Sequence, residues 1–317
     1  MLTIFSIPKP FSGRIGTIQM NAFRSWSILQ PQCEVIVFGN EDGTNEAAAE
    51  LNFKHIPDIE TNEYGTPLLN YLFETAERIA EYNLLCYVNS DIILTNDLLV
   101  ALDRVRSRFH NFLLSGRRVN LDLEMSLDFL KPHWESDLRE DAYSRGKLEP
   151  PWGGIDYFIY PKGIWDMIPP FAIGRLRWDS WLLYKARSND IPLIDATKVV
   201  MAIHQNHDYS HHVQGEIGVW KGHEAKRNFE LLGGFEYIFT ILNATHRLTK
   251  YNFKRNLTFN PVYIARLLAT LPALYPSLKP LAKLIKHFVI LWRFLKRMER
   301  VFGTLLFYLR GGKRKKL

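Results

Sequence analysis

The chain has 317 residues, of which 47% are hydrophobic and 13% aromatic. That composition excludes a disordered or fibrous protein and allows one large domain with an extension. The net charge of +7 is unevenly spread: from Arg247 onward there are 17 Lys and Arg against one acid, Glu299, and the remainder carries 23 against 32. An acidic body with a strongly basic tail implies different partners for the two parts. Cys33 and Cys86 lie in apolar, strand-like runs with no metal-type spacing. Each is therefore expected to be a small buried hydrophobe in a reducing compartment.

The first half alternates between two periods. "MLTIFSIPKPF" lacks a basic leader and a long apolar core, and it reads as a first strand rather than a signal peptide. "GTIQMNAFRSWSIL" places Ile18, Ala22, Trp26 and Leu29 on one helical face. "CEVIVFG" is a strand, "TNEAAAEL" a short helix with Thr44 as its cap, and "FKHI" a further strand. "TPLLNYLFETAERIAEY" is a helix whose stripe runs through Leu69, Leu72, Phe73, Ala76 and Ile79, with Thr66 placed to cap it and Pro67 in its first turn. "LLCYV" is a strand, a helix follows from about Asn96 to Phe109, and "FLLSG" is the next strand. This order of strand-length apolar runs and amphipathic helices predicts an α/β fold: a mostly parallel, doubly wound sheet with helices on both faces.

From Asn120 to Pro151 the pattern is polar and mixed, expected as loop and helix over one end of the sheet. "GGIDYFIYPKGIW" reads as a strand running into a short helix, "WDSWLLYKARSND" as an amphipathic helix, and "IPLIDAT" and "KVVMAI" as short strands. Two sequons, at Asn243 and Asn256, are triplets of a kind that arises often by chance.

Ligands of an open parallel sheet sit beyond the carboxyl ends of its strands. Three strands here end in polar residues: at Pro8-Lys9, at Asn40-Glu41-Asp42-Gly43, and at Asn89-Ser90-Asp91. In a parallel sheet these tips share one edge and form one cleft. At each tip an ordinary turn is the competing explanation, since Asn, Ser and Asp hydrogen-bond their own backbone.

On these motifs the chain resembles the GT-A glycosyltransferases, the nucleotide-sugar-dependent transferases, and is similar to their family 2 branch over roughly residues 1 to 215. "FGNEDGT" stands where that family carries an acidic turn, "YVNSDIIL" where it carries Asp-x-Asp, "GGIDYFIYPKGIW" and "RWDSWLL" where it carries an acceptor loop and the acidic start of a helix, and "AIHQNHDYSHH" where many members place a metal-binding His. The resemblance implies a GT-A domain over residues 1–245 that moves a sugar from a nucleotide-diphosphate donor to a hydroxyl of a glycan, polysaccharide or glycolipid, with inversion.

The same resemblance assigns roles. Glu41, Asp42, Asn89, Ser90 and Asp91 would contact the donor. Asp91 and His207 would hold Mn2+ or Mg2+, with His204 the second choice of histidine. Asp179 would be the general base, which needs a pKa closer to neutral than that of a free Asp. Gly153, Gly154, Asp156 and Trp178 would meet the acceptor or sugar, and Trp178 and Trp181 would desolvate Asp179. The chain departs from the pattern at Asn89, which replaces the family's first Asp and contributes no charge to a metal. Each role has a plainer alternative: a turn for Asp91, a dipole-favoured helix charge for Asp179, a solvated turn for Glu41 and Asp42, and a loop for Gly153-Gly154. Lys9 and Arg14, near the first strand tip, are placed to meet phosphate but read first as surface charge, and Arg117 and Arg118, after another strand, have the same status.

Residues 246–317 form the basic tail. Prolines at 272, 276 and 280 precede a helical pattern with Leu281, Leu284, Ile285, Phe288, Trp292 and Leu295 on one side and Lys283, Lys286, Arg293, Arg297 and Arg300 around the other. No apolar run is long enough to span a bilayer, so the tail is expected to lie in an anionic, cytoplasmic membrane interface, with packing on the acidic body as the alternative. Nucleic acid is not an expected partner. The rival functions are a nucleotidyltransferase, for which "PKPFSGRIGT" is a poor triphosphate loop, and a membrane-bound sugar-binding protein without catalysis, which Asn89 keeps open.

Overall fold

A computed structural model describes residues 1–123, 125–207, 221–256, 261–280 and 284. The chain divides into two compact units, Met1–Thr258 and Phe259–Leu317.

The first unit is built on a nine-stranded sheet in the order β13-β12-β10-β6-β9-β4-β1-β2-β3. Its strands are β1 (Thr3–Ser6), β2 (Glu34–Phe38), β3 (Lys54–Ile56), β4 (Leu84–Val88), β6 (Leu113–Ser115), β9 (Tyr157–Pro161), β10 (Leu193–Asp195), β12 (His246–Leu248) and β13 (Phe253–Arg255). All pair in parallel except β9, which runs antiparallel between β4 and β6, and β13, antiparallel to β12 on the edge. Residues 246–255, grouped with the tail by charge, thus close one edge of the sheet. A second sheet, ordered β5-β11-β7-β8, joins β5 (Ile92–Ile93), β11 (Ala202–Gln205), β7 (Arg118–Leu121) and β8 (Lys147–Leu148).

Alternation along the strands fills both faces. Ile4, Val35, Val37, Cys86 and Ile159 face one side, where they pack with Phe23 and Trp26 of α1 (Gly13–Ser27), Ala47 and Ala48 of α2 (Thr44–Glu50), and Leu98, Leu102 and Val105 of α4 (Asp97–Arg106). Phe5, Tyr87 and Tyr160 face the other, where they meet Phe73 of α3 (Leu69–Ile79), and Tyr87 also meets Trp178 of α6 (Trp178–Ser188). The sheet is therefore mainly parallel and covered by helices on both sides. Both cysteines are buried and free, and burial pushes the Cys33 thiol up to about 11.

Several local expectations are corrected. Gly43, with φ of 80°, precedes α2, and Thr44 is its first helical residue. The helix expected from Thr66 begins at Leu69, because Pro67 is held in a β-bridge to Thr61. Residues after β9 form turns instead of a short helix. The stretch from Asn120 to Pro151, expected as loop and helix, contains α5 (Trp134–Ser144) and, in addition, the end of β7 and β8.

The connection after β4 is what positions the site. Trp26 is fully buried, and its indole N–H donates to the carbonyl of Ile92 at 2.9 Å. The Leu94 N–H donates to Ser25 Oγ at 3.2 Å. A central helix of the core thereby fixes the backbone just beyond Asp91, so the Asp91 carboxylate leaves a rigid platform and not a free loop.

In the second unit, α8 (Pro261–Leu274) is followed by a short 3-10 turn, Pro276–Leu278. No helix among the described residues is long and apolar enough to cross a membrane. The amphipathic stripe from Leu281 to Leu295 and its basic flank lie outside the described residues, apart from Leu284.

Candidate active site

The tips of β1, β2 and β4 open together on a cleft of about 540 Å³. Glu41, Asn89, Ser90, Asp91, Gly154, Asp156, Trp178, Asp179 and His207 all line it, joined by Lys9, Arg118, Arg175 and His204. Residues from across the chain thus meet at the single edge that strand order predicts.

Asp91 is at its centre. The carboxylate oxygen Oδ2 lies 3.1 Å from His207 Nε2 and 3.5 Å from His204 Nε2. The other oxygen, Oδ1, is buried and has no hydrogen-bond partner among the described residues. Burial alone would raise this carboxyl, but His204 and then His207 hold it well below the usual carboxylate range. The backbone is fixed as firmly: the Asp91 carbonyl accepts from both the backbone and the side-chain N–H of Gln205 at 3.3 Å, and Gln205 in turn donates to the carbonyl of Ile18. One ligand atom each from Asp91, His204 and His207 can be chosen so that all lie within 4.8 Å of one another. A buried carboxylate oxygen without a partner costs free energy unless something fills it, and a carboxylate with two imidazoles is a donor set that fits a divalent ion.

Asn89 and Ser90 are turned away from that group. The Asn89 amide donates to Asp156 Oδ1 at 2.7 Å, and its oxygen accepts from the Tyr87 hydroxyl at 3.1 Å. The second Asp156 oxygen accepts from Arg118 at 2.9 Å. Ser90 is 8% exposed, and its hydroxyl donates to Gln19 Oε1 at 2.9 Å. Gln19 Oε1 also accepts the Lys9 backbone N–H at 2.6 Å, and its amide donates to the Lys9 carbonyl at 2.8 Å. Both residues line the cleft, and these hydrogen bonds brace its wall.

Asp179 sits in the first turn of α6. Burial raises its carboxyl above the ordinary value, and Asp156 adds to the rise, while the helix N–H of Ser180 pulls the other way. That is the direction a general base at neutral pH requires. Just before it, Arg177 holds φ of 94°, outside the range comfortable for a residue with a side chain. Trp178 is 6% exposed, its ring edge-on to Tyr87 and tilted against Phe158. Trp181 packs on Phe171. The two tryptophans are part of the apolar floor beneath Asp179 and do not present an open ring face.

Of the remaining expected residues, Gly154 lines the cleft and Gly153 does not: a Cβ at Gly153 would run into the Glu149 side chain. Asp42 is exposed and away from the lining, its carbonyl accepting the Phe11 N–H at 2.7 Å. Arg14 is at the surface and donates to the Asn206 carbonyl. Arg117 reaches the Glu149 carbonyl. His211 and His212 lie outside the described residues.

Two cations, Lys9 and Arg175, also line the cleft. Burial pulls the Lys9 ammonium below its ordinary value, opposed by Asp91 and reinforced by Arg175. Arg175 is anchored by two bonds, of 2.9 and 2.7 Å, to Glu224 Oε2 in the first turn of α7 (His223–Leu232), and Glu224 also accepts from Asn62. Neither Arg175 nor Gln19 carries a local signal, because their partners are distant in sequence.

Searches of protein-family models and of curated proteins return no match to this chain. Solved structures do match. S. aureus TarS 1–349 in complex with UDP-GlcNAc is 13% identical, with 86% of this chain and 72% of that chain covered and a TM-score of 0.48. The mannosyltransferase PcManGT from Pyrobaculum calidifontis, in complex with GDP-Man and Mn2+, is 14% identical over 67% of this chain and 59% of that one, TM-score 0.41. Glucosyl-3-phosphoglycerate synthase from Mycobacterium tuberculosis, with Mn2+, UDP and glucosyl-3-phosphoglycerate, is 12% identical over 65% and 72%, TM-score 0.40.

Proposed function

We propose that the chain is a GT-A-type glycosyltransferase that uses a nucleotide-diphosphate sugar. The observation that carries this reading is the pairing, in one cleft, of a half-buried Asp91 whose buried Oδ1 lacks a partner among the described residues and an Asp179 whose carboxyl is raised. One group suits a cation and diphosphate, the other a proton transfer.

The donor would lie with its nucleoside toward Glu41 and the β2 tip, and its diphosphate toward Lys9, Asp91 and Arg175. Lys9 and Arg175 supply positive charge to the phosphates. A divalent ion, Mn2+ or Mg2+, held by Asp91 and His207 would offset the charge that builds on the departing diphosphate. The acceptor hydroxyl enters beside Asp156 and Asp179. Asp179 takes its proton as the oxygen forms the new bond to the anomeric carbon, and the bond from that carbon to the diphosphate breaks with its electron pair leaving on phosphate oxygen. Attack opposite the leaving group gives inversion. Asp156, fixed by Asn89 and Arg118, is placed to orient a sugar hydroxyl. The apolar floor under Asp179 keeps its proton affinity matched to this step.

The acceptor belongs to glycan, polysaccharide or glycolipid assembly. The basic tail would hold the enzyme on the anionic inner face of a membrane, where each basic group is worth roughly 1 kcal/mol. The nucleotidyltransferase alternative loses its loop: Gly13 and Gly16 belong to α1, where a Cβ at Gly16 would meet the Phe11 backbone.

The test is thermal unfolding of the full chain with UDP, GDP, CDP and their sugars, with and without Mn2+. Ligands that bind the folded state raise the melting temperature by mass action. A metal-dependent rise for one nucleotide, lost in Asp91→Ala, together with slow hydrolysis of its sugar nucleotide, is the expected result. No rise with any nucleotide overturns the reading, and binding without hydrolysis or transfer would leave a sugar-nucleotide-binding protein.

A further inference from the structure

His204 is the group in the cleft whose surroundings least resemble those of a structural histidine. It lies on β11, paired to Ile92 of β5 and Asn120 of β7, so its backbone is held on both sides. The residue is 8% exposed. Its Nδ1 is buried with no hydrogen-bond partner among the described residues, and its Nε2 is a loose 3.5 Å from Asp91 Oδ2. A histidine buried for packing has its ring nitrogens satisfied. This one keeps a ring nitrogen without a partner among the described residues, and the Asp91 carboxylate that its other nitrogen faces also keeps one oxygen without a partner among them.

Asn89 accounts for the other half of the pattern. Its oxygen is taken by the Tyr87 hydroxyl and its amide by Asp156, so it is withdrawn from any ion held at Asp91. Among the described residues the local donor set is therefore one carboxylate and two imidazoles. Mg2+ favours hard oxygen ligands and gives up its water reluctantly. Imidazole nitrogen favours first-row transition ions, with affinity rising from Mn2+ through Co2+ and Ni2+.

We propose that His204 is a third protein ligand and that, by replacing an oxygen donor with a second imidazole, it makes the site select a transition ion over Mg2+. This rests on the metal reading above and narrows it. With a single carboxylate in the set, a divalent ion also keeps a net positive charge to present to a diphosphate.

The experiment is direct metal binding to the full chain, stripped with chelator and without nucleotide, by calorimetry with Mn2+, Co2+ and Mg2+. The visible absorption of Co2+ serves as a second readout, since nitrogen ligands intensify and shift its bands. The expected order is Co2+ tighter than Mn2+, and Mn2+ at least ~100-fold tighter than Mg2+. His204→Ala weakens Mn2+ binding by about 10–100-fold and changes the Co2+ spectrum. His204→Asp narrows the Mn2+ to Mg2+ ratio at least ~10-fold. Unfolding curves recorded without metal identify a variant that fails to fold, and His204→Gln, closer in volume, then takes its place. Equal binding of Mg2+ and Mn2+, or Mn2+ affinity indifferent to His204 substitution in a folded variant, would overturn the inference and leave the Asp91–His207 reading standing. Binding of no divalent ion would overturn both.

Discussion

Asn89 and Asp156 form one unit: the Asn89 amide donates to Asp156 Oδ1 at 2.7 Å, and the Asn89 backbone N–H donates to the Asp156 carbonyl at 2.9 Å. The residue that seems to break an acidic motif is the one that lets a buried carboxylate sit against it.

Restoring the acidic motif should therefore harm the protein. Asn89→Asp places a second carboxylate within hydrogen-bonding distance of Asp156 and removes the donor between them. Arg118 compensates one oxygen only. A net loss of about 2 kcal/mol is expected from the lost bond and the like-charge contact, seen as a lower melting temperature at pH 7 and no gain in activity. Adding Asp156→Asn to that variant returns a donor to the pair and should recover most of the stability. A stable, more active Asn89→Asp would show that the amide has no such role.

Gln19 should matter more than Ser90, although the motif contains Ser90. Gln19 is 1% exposed and holds three groups, namely both backbone groups of Lys9 and the Ser90 hydroxyl. Gln19→Leu leaves those buried groups unpaired and frees the loop that carries Lys9. The expected cost is about 2–3 kcal/mol of stability and a weaker affinity for nucleoside diphosphate. Ser90→Ala removes one bond and should cost about 1 kcal/mol, with donor affinity nearly unchanged. Equal effects of the two on nucleotide affinity, measured by titration calorimetry, would contradict this division.

Lys9 separates binding from folding. Its ammonium is held below its ordinary pKa chiefly by burial, so the charge is costly to the folded chain and is repaid when an anion arrives. Lys9→Met should leave the melting temperature equal or higher and weaken nucleoside-diphosphate binding about tenfold or more. Arg175, held by Glu224, contributes to the same field. Glu224→Gln should lower stability, and it should weaken nucleotide binding less than Lys9→Met does.

Strand and helix order and the shared edge of β1, β2 and β4 were legible because each depends on local period or on a rule of sheet topology, whereas Asp179 and His207 were singled out only through the family resemblance. What was not legible depends on partners far away in the chain. The apolar run at 157–161 looks the same whether it lies parallel or antiparallel, and only pairing on both sides, with β4 and β6, decides it. Trp178 beside a carboxylate looks like a sugar platform, yet its ring is spent on Tyr87 and Phe158. Arg118 passed as surface charge because Asp156 is 38 residues away. Asn89 looked like a weakened metal ligand because its true partner, Asp156, is 67 residues away.

Asp179 gives the last prediction, in two opposite directions. Its carboxyl is raised by burial and then by Asp156. Between the ordinary carboxylate value and this raised value, the folded chain holds a proton that the unfolded chain has lost. Stability therefore falls as pH rises through that window and stays lower above it. Removing the charge reverses this: Asp179→Asn should unfold at a higher temperature than the parent at pH 8, with the difference shrinking as pH falls through that same window and gone below the ordinary carboxylate value. The same substitution should abolish transfer, since the proton acceptor is gone, while nucleotide binding persists. In the parent, activity should fall on the acid side with a midpoint above that of an ordinary Asp. Asp156→Asn removes a neighbouring negative charge and should move that midpoint to lower pH, whatever it does to the maximal rate. A parent profile that is flat down to the ordinary carboxylate range, or an Asp179→Asn variant that is less stable at pH 8, would remove Asp179 from the role of base.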